Sequence, residues 1–186
     1  DGNRLMGYTA QQVLDYAQAL YEKKLLTYPR TDSNYLTEDT AATVPGLVEV
    51  AVQSLPFSVE VGPPDVARVV DGSKVSDHHA LLPTMQVRSD TLAALPAGER
   101  NVLTLVIVRL LCAVGEKQVY EDTAAALECG GVSFSARGRV VTVPGWKAIE
   151  QMFLSTLKQK TEKEEPEARA LPPLAEGQTF SGCKAA

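Results

Sequence analysis

The sequence predicts an α+β fold in which a mainly helical part, residues 1–95, precedes a helix and an antiparallel β-unit, residues 96–186. Apolar residues recur at helical spacing through the first part, whereas beyond residue 120 they form short runs separated by glycines, which is typical of strands. The sequence Leu-Pro-Ala-Gly at 95–98 marks the boundary. We therefore expect two domains with a sizeable core, for which 186 residues are sufficient.

The first predicted helix spans residues 10–25. Thr9 and Gln12 have the spacing of a capping box, in which the two side chains satisfy backbone N–H groups at the helix start. The apolar residues that follow share one helix face: Val13, Ala17, Leu20 and Tyr21. Lys23 and Lys24 are expected in the last turn, where a positive charge complements the helix dipole.

Two further helix starts are predicted in the first part. Thr37 precedes two acidic residues, and Thr43 precedes Val44 and Pro45, so each threonine is a candidate N-cap. The second of these helices ends at Pro56. Residues 56–76 are rich in valine, glycine and proline and are expected to be loop or short strand, and residues 90–98 form a second break.

The second part begins with the strongest helical pattern of the chain, Glu99–Val114. Three strands joined through glycines are then predicted at Thr123–Cys129, Val132–Ala136 and Arg139–Val143. Trp146–Leu157 is predicted to be a helix, and the mixed-charge run at 158–169 a mobile loop.

Composition and charge exclude several classes of protein. Apolar residues make up 45% of the chain and charged residues 22%. These shares are ordinary for a globular protein and argue against a chain that is disordered over its whole length. The longest apolar run, 102–114, contains Thr104 and Arg109 and is too short to span a membrane. The formal net charge of −5 argues against a generally basic nucleic-acid-binding surface, so any phosphate-binding site must be local.

The three cysteines predict a reducing compartment. Cys112, Cys129 and Cys183 are far apart, and no C-x-x-C pair occurs, so neither a zinc ribbon nor a disulfide framework is indicated. The polar N-terminal sequence lacks the apolar segment of a signal peptide. We therefore expect a cytoplasmic protein, and the ends of the chain suggest a piece of a longer one.

The stretch at residues 25–33 (LLTYPRTDS) is the most informative of the sequence. A residue before proline is held extended, and in an extended segment Tyr28 and Arg30 share a face. A phenol can attack phosphorus while a guanidinium holds two phosphate oxygens. Thr31, Asp32 and Ser33 add hydroxyls and a turn or cap, although Asp32 would repel phosphate unless it has another partner. Packing is the alternative role for Tyr28, since most tyrosines are amphipathic packing residues.

A second stretch, residues 76–84 (SDHHALLPT), contains the only two histidines. Adjacent residues of an extended segment point to opposite sides, so His78 and His79 are expected to face different surroundings. A metal site is weakly indicated, because no third ligand lies at a usual spacing. A capped surface turn is the alternative.

Together these two stretches resemble the signatures of type IA DNA topoisomerases. Residues 25–33, preceded by 17–22 (AQALYE), are similar to the family's active-site segment, and 76–84 resembles its second signature in the form typical of the topoisomerase III branch. Pro144-Gly145-Trp146 and Leu171-Pro172-Pro173-Leu174 with Gly177 resemble later landmarks of the family. The resemblance extends over essentially the whole chain and is strongest in 4–38 and 76–84.

The resemblance implies a role for each matching residue. Tyr28 would attack one DNA strand and take the 5′-phosphate, Arg30 would stabilise charge on that phosphate, and His78 would lie near it. The strand would be resealed without ATP after another strand has passed. Contacts with DNA are implied for five further residues: Arg4, Gln18, Thr31, Ser33 and Thr84. Asn34 departs from the family, in which a basic residue is common at this position.

The resemblance also implies what this chain lacks. In the family, Mg²⁺ is bound by acidic residues of an N-terminal Toprim domain, which also supplies a glutamate and a lysine near the cleavage site. No D-x-D sequence occurs here, so no metal ligand is assigned and no cofactor is expected in this chain itself. We expect the tyrosine-bearing domain (1–95) and part of the arch domain (96–186) of a bacterial, nucleoid-associated enzyme. Its partners would be single-stranded DNA and the Toprim domain of the same polypeptide, with no membrane.

Two other functions remain open from the residues alone. The chain could be a module that binds single-stranded DNA, or a partner, without catalysis. It could instead resemble relaxase-type endonucleases, which also combine tyrosine with histidines and a metal. Their histidines follow a His-x-His spacing that points both at one metal, whereas His78 and His79 are adjacent.

Overall fold

The computed structural model describes residues 1–157 and 170–180 and confirms the α+β fold. The loop predicted at 158–169 lies outside these residues. The elements are α1 (Gly2–Met6), α2 (Ala10–Glu22), α3 (Glu38–Ala41), α4 (Val44–Ser54), α5 (Ser89–Ala94), α6 (Ala97–Val114), β1 (Val119–Cys129), β2 (Val132–Val143) and α7 (Trp146–Thr156). Two short 3₁₀ turns, Val66–Val69 and Gly72–Lys74, lie in the segment predicted to be loop or short strand.

The chain divides into two compact units. The described residues of the first unit are 1–117 and 145–157, and those of the second are 118–144 and 170–180. Helix α6, which follows the boundary predicted at residue 96, belongs to the first unit because it packs against α2, α4 and α7. The assignment of 1–95 and 96–186 to two domains of a larger protein stays a prediction.

Helix α2 has the predicted capping box but ends three residues earlier than expected. The Thr9 hydroxyl accepts a hydrogen bond from the Gln12 amide at 3.2 Å, and the Thr9 amide donates to Gln12 Oε1 at 2.9 Å. The helix ends at Glu22 because Lys24 adopts a left-handed conformation with φ +61°. The prediction that Lys23 and Lys24 belong to the last helical turn is therefore wrong.

The turn after α2 is a Schellman motif. The Leu25 amide donates to the carbonyl of Leu20 at 2.9 Å, and the Lys24 amide donates to the carbonyl of Tyr21 at 2.8 Å. Glycine is the usual residue at the left-handed position, because a side chain there is sterically strained. Because this position holds a lysine and not a glycine, no local pattern indicates the end of α2.

Helices α3 and α4 begin where the sequence predicts, whereas α1 and α5 were not predicted. Thr37 caps α3 through its hydroxyl, and Pro45 lies in the first turn of α4. Helix α5 covers residues 89–94 and so overlaps the first half of the break expected at 90–98. Both α1 and α5 are much shorter than the roughly 11–18 residues over which a helical period can be recognised, which is why the pattern does not indicate them.

The core of the first unit surrounds α6, which is buried along most of its length. Leu103, Ile107 and Val108 are completely inaccessible to solvent. Glu99 at the start of α6 is buried and is neutralised by an ion pair with Lys23. Burial also raises the pKa of the Cys112 thiol to about 11, so this cysteine is a packing residue rather than a nucleophile at neutral pH.

The second unit contains a two-stranded antiparallel hairpin, β1–β2, in place of the three predicted strands. Gly138 does not make a turn, because it pairs with Thr123 within a continuous β2. The turn lies at Gly130 and Gly131, both of which have positive φ. Asp122 and Arg139 are directly opposite, and two hydrogen bonds of 2.6 and 2.9 Å from the Arg139 guanidinium lower the pKa of Asp122.

None of the helices in the described residues is both long and apolar enough to cross a membrane.

Candidate active site

The two informative stretches of the sequence lie side by side in the first unit. Leu26 and Pro83 form an antiparallel bridge. Next to it, the Thr27 amide donates to the carbonyl of Leu82 at 2.9 Å, and the Leu82 amide donates to the Thr27 hydroxyl at 2.9 Å. These bonds fix the register of the two stretches just before Tyr28.

A second set of bonds holds the other end of the same loop. Leu36 forms a parallel bridge with Val70, and the Ala80 amide donates to the Tyr35 carbonyl at 2.9 Å. The loop 27–35 is therefore attached at both ends to the segment 69–84. Residues of these two segments therefore lie close together although they are far apart in the sequence.

Tyr28 is half-buried between two other rings. Its ring centroid lies 4.6 Å from that of His78, with the planes tilted by 50°. On another side the Tyr21 ring approaches edge-on, at 5.3 Å and 77°. In the described residues no side chain makes a hydrogen bond to the Tyr28 hydroxyl, so ring packing rather than a polar contact orients this side chain.

Arg30 and His78 line one open depression together with Thr31, Asp32, Ser76 and Asp77. Both side chains are exposed, and within residues 1–157 and 170–180 neither the guanidinium nor the imidazole has a hydrogen-bond or ion-pair partner. Their donors are thus available to an anion. Tyr28 is not among the residues that line this depression, but its ring packs against His78, which is.

Asp32 is the acidic residue that is expected to need a partner beside a phosphate. Its Oδ1 lies 3.5 Å from the Ser76 hydroxyl, at the limit of a hydrogen bond, and it makes no ion pair with Arg30. Asp32 and Asp77 therefore share the depression with Arg30, so the depression has no general positive field. An anion bound there would be held by specific contacts with Arg30 and His78.

The predicted DNA-contacting hydroxyls are engaged within the protein. Thr31 donates to the His78 carbonyl at 2.8 Å, Ser33 donates to the Lys74 carbonyl at 2.8 Å, and Thr84 donates to the Lys24 carbonyl at 2.6 Å. Each of the three also accepts a backbone N–H two residues further along the chain. These side chains hold the two stretches together, and their contacts with DNA stay predictions.

Arg4 and Gln18, also predicted to contact DNA, lie on α1 and α2 and do not line the depression that Arg30 and His78 share. Arg4 forms an exposed ion pair with Asp1 at 3.0 Å, and Gln18 donates to Glu22 at 3.0 Å. No hydrogen bond, ion pair or ring contact among the described residues joins either of them to Tyr28. The structure therefore does not bring them to the depression that Arg30 and His78 share.

His78 and His79 face different surroundings, as the sequence indicated. His79 Nδ1 lies 2.7 Å from the Ala80 carbonyl, which can only accept, and its ring lines a second depression beside Thr40 and Met85. His78 instead lines the depression with Arg30. The two rings are thus not arranged as a pair of ligands for one metal ion.

No group of three or more histidine, cysteine, aspartate or glutamate side chains is placed to hold a metal ion in the described part of the chain. The residues of the depression therefore do not form a metal site by themselves. Mg²⁺ stays a prediction for a larger protein.

Tyr21 and Lys74 are neighbours of the site whose contacts the sequence does not indicate. Tyr21 belongs to the apolar face of α2 and to the segment 17–22 that precedes the active-site-like stretch, but nothing local signals the turn that brings Tyr28 back towards its ring. The Lys74 ammonium lies 4.3 Å from the centroid of the Tyr35 ring and forms an ion pair with Asp71 at 2.9 Å. Hydrogen bonds of the Lys74 ammonium with Asp71 and Tyr35, together with the charge of Asp71, raise the pKa of Lys74.

Comparisons with known proteins give a consistent result. A family model described as DNA topoisomerase matches residues 1–185. The chain is 35% identical to DNA topoisomerase 3 of Bacillus licheniformis and 34% identical to that of Bacillus subtilis. In both cases 97% of this chain aligns with 25% of the relative. The chain thus spans about a quarter of the length of the curated relatives that it matches.

Proposed function

Because the chain belongs to the type IA DNA topoisomerase family, we propose that Tyr28 is the residue that cuts and covalently holds one DNA strand. The observation that carries the proposal is the contact between the Tyr28 ring and His78, which lines a depression together with Arg30. A guanidinium and an imidazole with free donors thereby share one open depression, and the phenol proposed as the nucleophile packs against the imidazole. Phosphoryl transfer needs such groups around the phosphorus.

The proposed reaction is a reversible exchange of one phosphate ester for another. The Tyr28 oxygen bonds to phosphorus while the bond from phosphorus to the 3′ oxygen breaks, so the strand end with the 5′-phosphate stays on the protein. The phenolic proton leaves, and the 3′ oxygen gains a proton. Because the ester bond is conserved in the phosphotyrosine, the reverse attack reseals the strand without ATP.

Arg30 supports this exchange electrostatically. Its guanidinium can hold both non-bridging oxygens of the phosphate, and it does not first have to give up a bond within the described residues. Interactions that strengthen as charge develops on the phosphate lower the barrier more than they tighten binding. His78, which contacts Tyr28 directly, is proposed to contact the same phosphate.

The remaining components of the proposal come from the family. The full-length protein would add a Toprim domain, with its Mg²⁺ and acid–base residues, and would act on single-stranded segments of DNA. A cytoplasmic location with nucleoid association in a bacterium belongs to the same proposal. The relaxase-type reading is disfavoured because His78 and His79 line different depressions.

Mapping the protein–DNA linkage tests the proposed function. The full-length protein is mixed with a labelled single-stranded oligonucleotide, the cleaved complex is trapped with denaturant, and the DNA-linked peptide is sequenced. We expect one linkage, from Tyr28 to a 5′-phosphate, with a free 3′-hydroxyl on the other product. A linkage at any of the other five tyrosines, or to a 3′-phosphate, would contradict the proposal.

The isolated chain is expected to leave DNA uncut. Tyrosine is a weak nucleophile unless a base or metal activates it, and no described side chain lies within hydrogen-bond reach of the Tyr28 hydroxyl. The chain should also bind DNA weakly, because its net charge is −5. A denaturing gel of the purified chain with labelled oligonucleotide and Mg²⁺ is the measurement. A covalent adduct that disappears in Tyr28→Phe would show that the chain carries the whole machinery.

Thr31→Val in the full-length protein is expected to slow cleavage by about tenfold while binding changes little. Valine keeps the shape of threonine but cannot donate to the His78 carbonyl, and one such bond contributes roughly 1 kcal/mol. Single-turnover cleavage and oligonucleotide titration measure the two effects. Thr43→Val is the matched control, because the Thr43 hydroxyl likewise donates to a carbonyl, that of Thr40, at 2.7 Å. An equal loss of binding would show that Thr31 contacts DNA directly.

A further inference from the structure

Tyr21 is an exposed aromatic residue to which the proposed function assigns nothing. It lies in the last turn of α2, and 41% of its surface is accessible. Large hydrophobic side chains at this exposure contribute little to a core. Its ring nevertheless makes a defined edge-on contact with the ring of Tyr28.

The turn after α2 creates this contact. The left-handed conformation of Lys24 reverses the chain, and the Lys24 amide donates to the carbonyl of Tyr21 itself. The bridge between Leu26 and Pro83 then fixes the direction of the returning strand. This path of the backbone places Tyr28 beside Tyr21 in the last turn of α2. The contact between the two rings therefore follows from the backbone and not from chance proximity of two flexible side chains.

The Tyr28 ring has two aromatic neighbours, Tyr21 and His78, and its hydroxyl has no hydrogen-bond partner among the described residues. The direction of the phenolic oxygen is therefore set by how the ring is packed. His78 supports the ring from the side of the depression, and Tyr21 supports it from the side of α2. If Tyr21 were lost, the Tyr28 ring could turn about its side-chain bonds away from its contact with His78.

We propose that Tyr21 is a positioning residue that aims the Tyr28 hydroxyl at the phosphate. The proposal rests on the function proposed above, because it needs Tyr28 to be the nucleophile. Tyr21 acts through its ring, so its own hydroxyl is dispensable. Small errors in the position of a nucleophile reduce rates strongly, since reaction requires both a short distance and correct alignment.

The test uses the full-length protein with Tyr21→Leu, Tyr21→Met and Tyr21→Phe. Single-turnover cleavage is measured at saturating single-stranded oligonucleotide, and the dissociation constant is measured separately by titration. We expect cleavage to fall about tenfold in the leucine and methionine variants, with the dissociation constant unchanged within about twofold. Tyr21→Phe keeps the ring and should cleave like the unmodified protein.

Tyr16→Leu is the matched control. Tyr16 forms the same kind of edge-on pair with Tyr8, at 5.4 Å and 68°, but has no contact with Tyr28. This variant should lose stability without losing cleavage. If it slows cleavage as much as Tyr21→Leu does, loss of any ring pair suffices and the positioning role is refuted.

The outcomes separate this proposal from the proposed function. Unchanged cleavage in Tyr21→Leu and Tyr21→Met, with the DNA still linked to Tyr28, overturns the positioning role and leaves the function standing. A linkage to another tyrosine overturns both. A dissociation constant that rises as much as cleavage falls would make Tyr21 a DNA-contacting residue instead. A loss in Tyr21→Phe equal to that in Tyr21→Leu would place the effect in the hydroxyl and also overturn the proposal.

Discussion

Full-length protein carrying Tyr28→Phe is expected to bind single-stranded DNA and leave it uncut. Only the proposed nucleophilic oxygen is removed, so the cleavage rate should fall by at least about a thousandfold. The measurement is formation of the covalent adduct on a denaturing gel, with binding followed by titration. Residual cutting at the normal rate would mean that Tyr28 is not the nucleophile.

The same variant should remain folded. Phenylalanine preserves the ring contacts with Tyr21 and His78, and no hydrogen bond of the Tyr28 hydroxyl to a described residue is lost. The free energy of unfolding is therefore expected to change by less than about 0.5 kcal/mol, as is usual for substitutions that leave packing intact. Tyr16→Phe is a suitable control, since it also removes one hydroxyl from an aromatic pair but lies away from the depression.

Arg30→Ala is expected to give the second-largest effect, a loss of about 10² to 10³ in the cleavage rate. Removing one donor that stabilises developing negative charge has a cost of this size in other enzymes. Binding should weaken much less, because one phosphate contact contributes only part of the total counterion release. Single-turnover cleavage at saturating oligonucleotide separates the two, and Arg30→Lys should recover only part of the rate because it cannot hold two oxygens at once.

Arg137→Ala provides the control for the loss of one positive charge. Arg137 is exposed on β2, in the second unit, and opposes Ala124 across the hairpin. It should leave cleavage unchanged. If Arg30→Ala reduces binding as strongly as it reduces cleavage, Arg30 is a contact for DNA in general and not a group that stabilises the reacting phosphate.

Local patterns predicted the elements whose causes are local. The capping box of α2, the threonine cap of α3 and the apolar pattern of α6 all depend on residues within a few positions of one another, and all are present. The prediction for the end of α2 is wrong because Lys24 holds a left-handed conformation that tertiary contacts impose against its intrinsic preference. The predicted break between strands at Gly138 is wrong for a related reason, since the partner strand β1 continues past this residue and pairs with it.

The site could be predicted in part. The resemblance of two motifs indicated that Tyr28 and His78 belong together, and the structure places their rings in contact. The roles of Thr31, Ser33 and Thr84 within the fold could not be predicted, because their acceptors are backbone carbonyls far away in the sequence. Spacing within one motif carries no information on such partners.

The bridge between Leu36 and Val70 holds the two ends of the segment 37–69 together beside the site. Helix α4 of this segment packs in the core, whereas Gly62, which follows it, is exposed. The entropy of closing such a loop changes by only about 0.6 kcal/mol when its length doubles. At Gly62, an added side chain would meet only open space. A short reporter peptide inserted there should leave the ring contact between Tyr28 and His78 unaltered, which makes Gly62 a suitable attachment point for a fluorescent label.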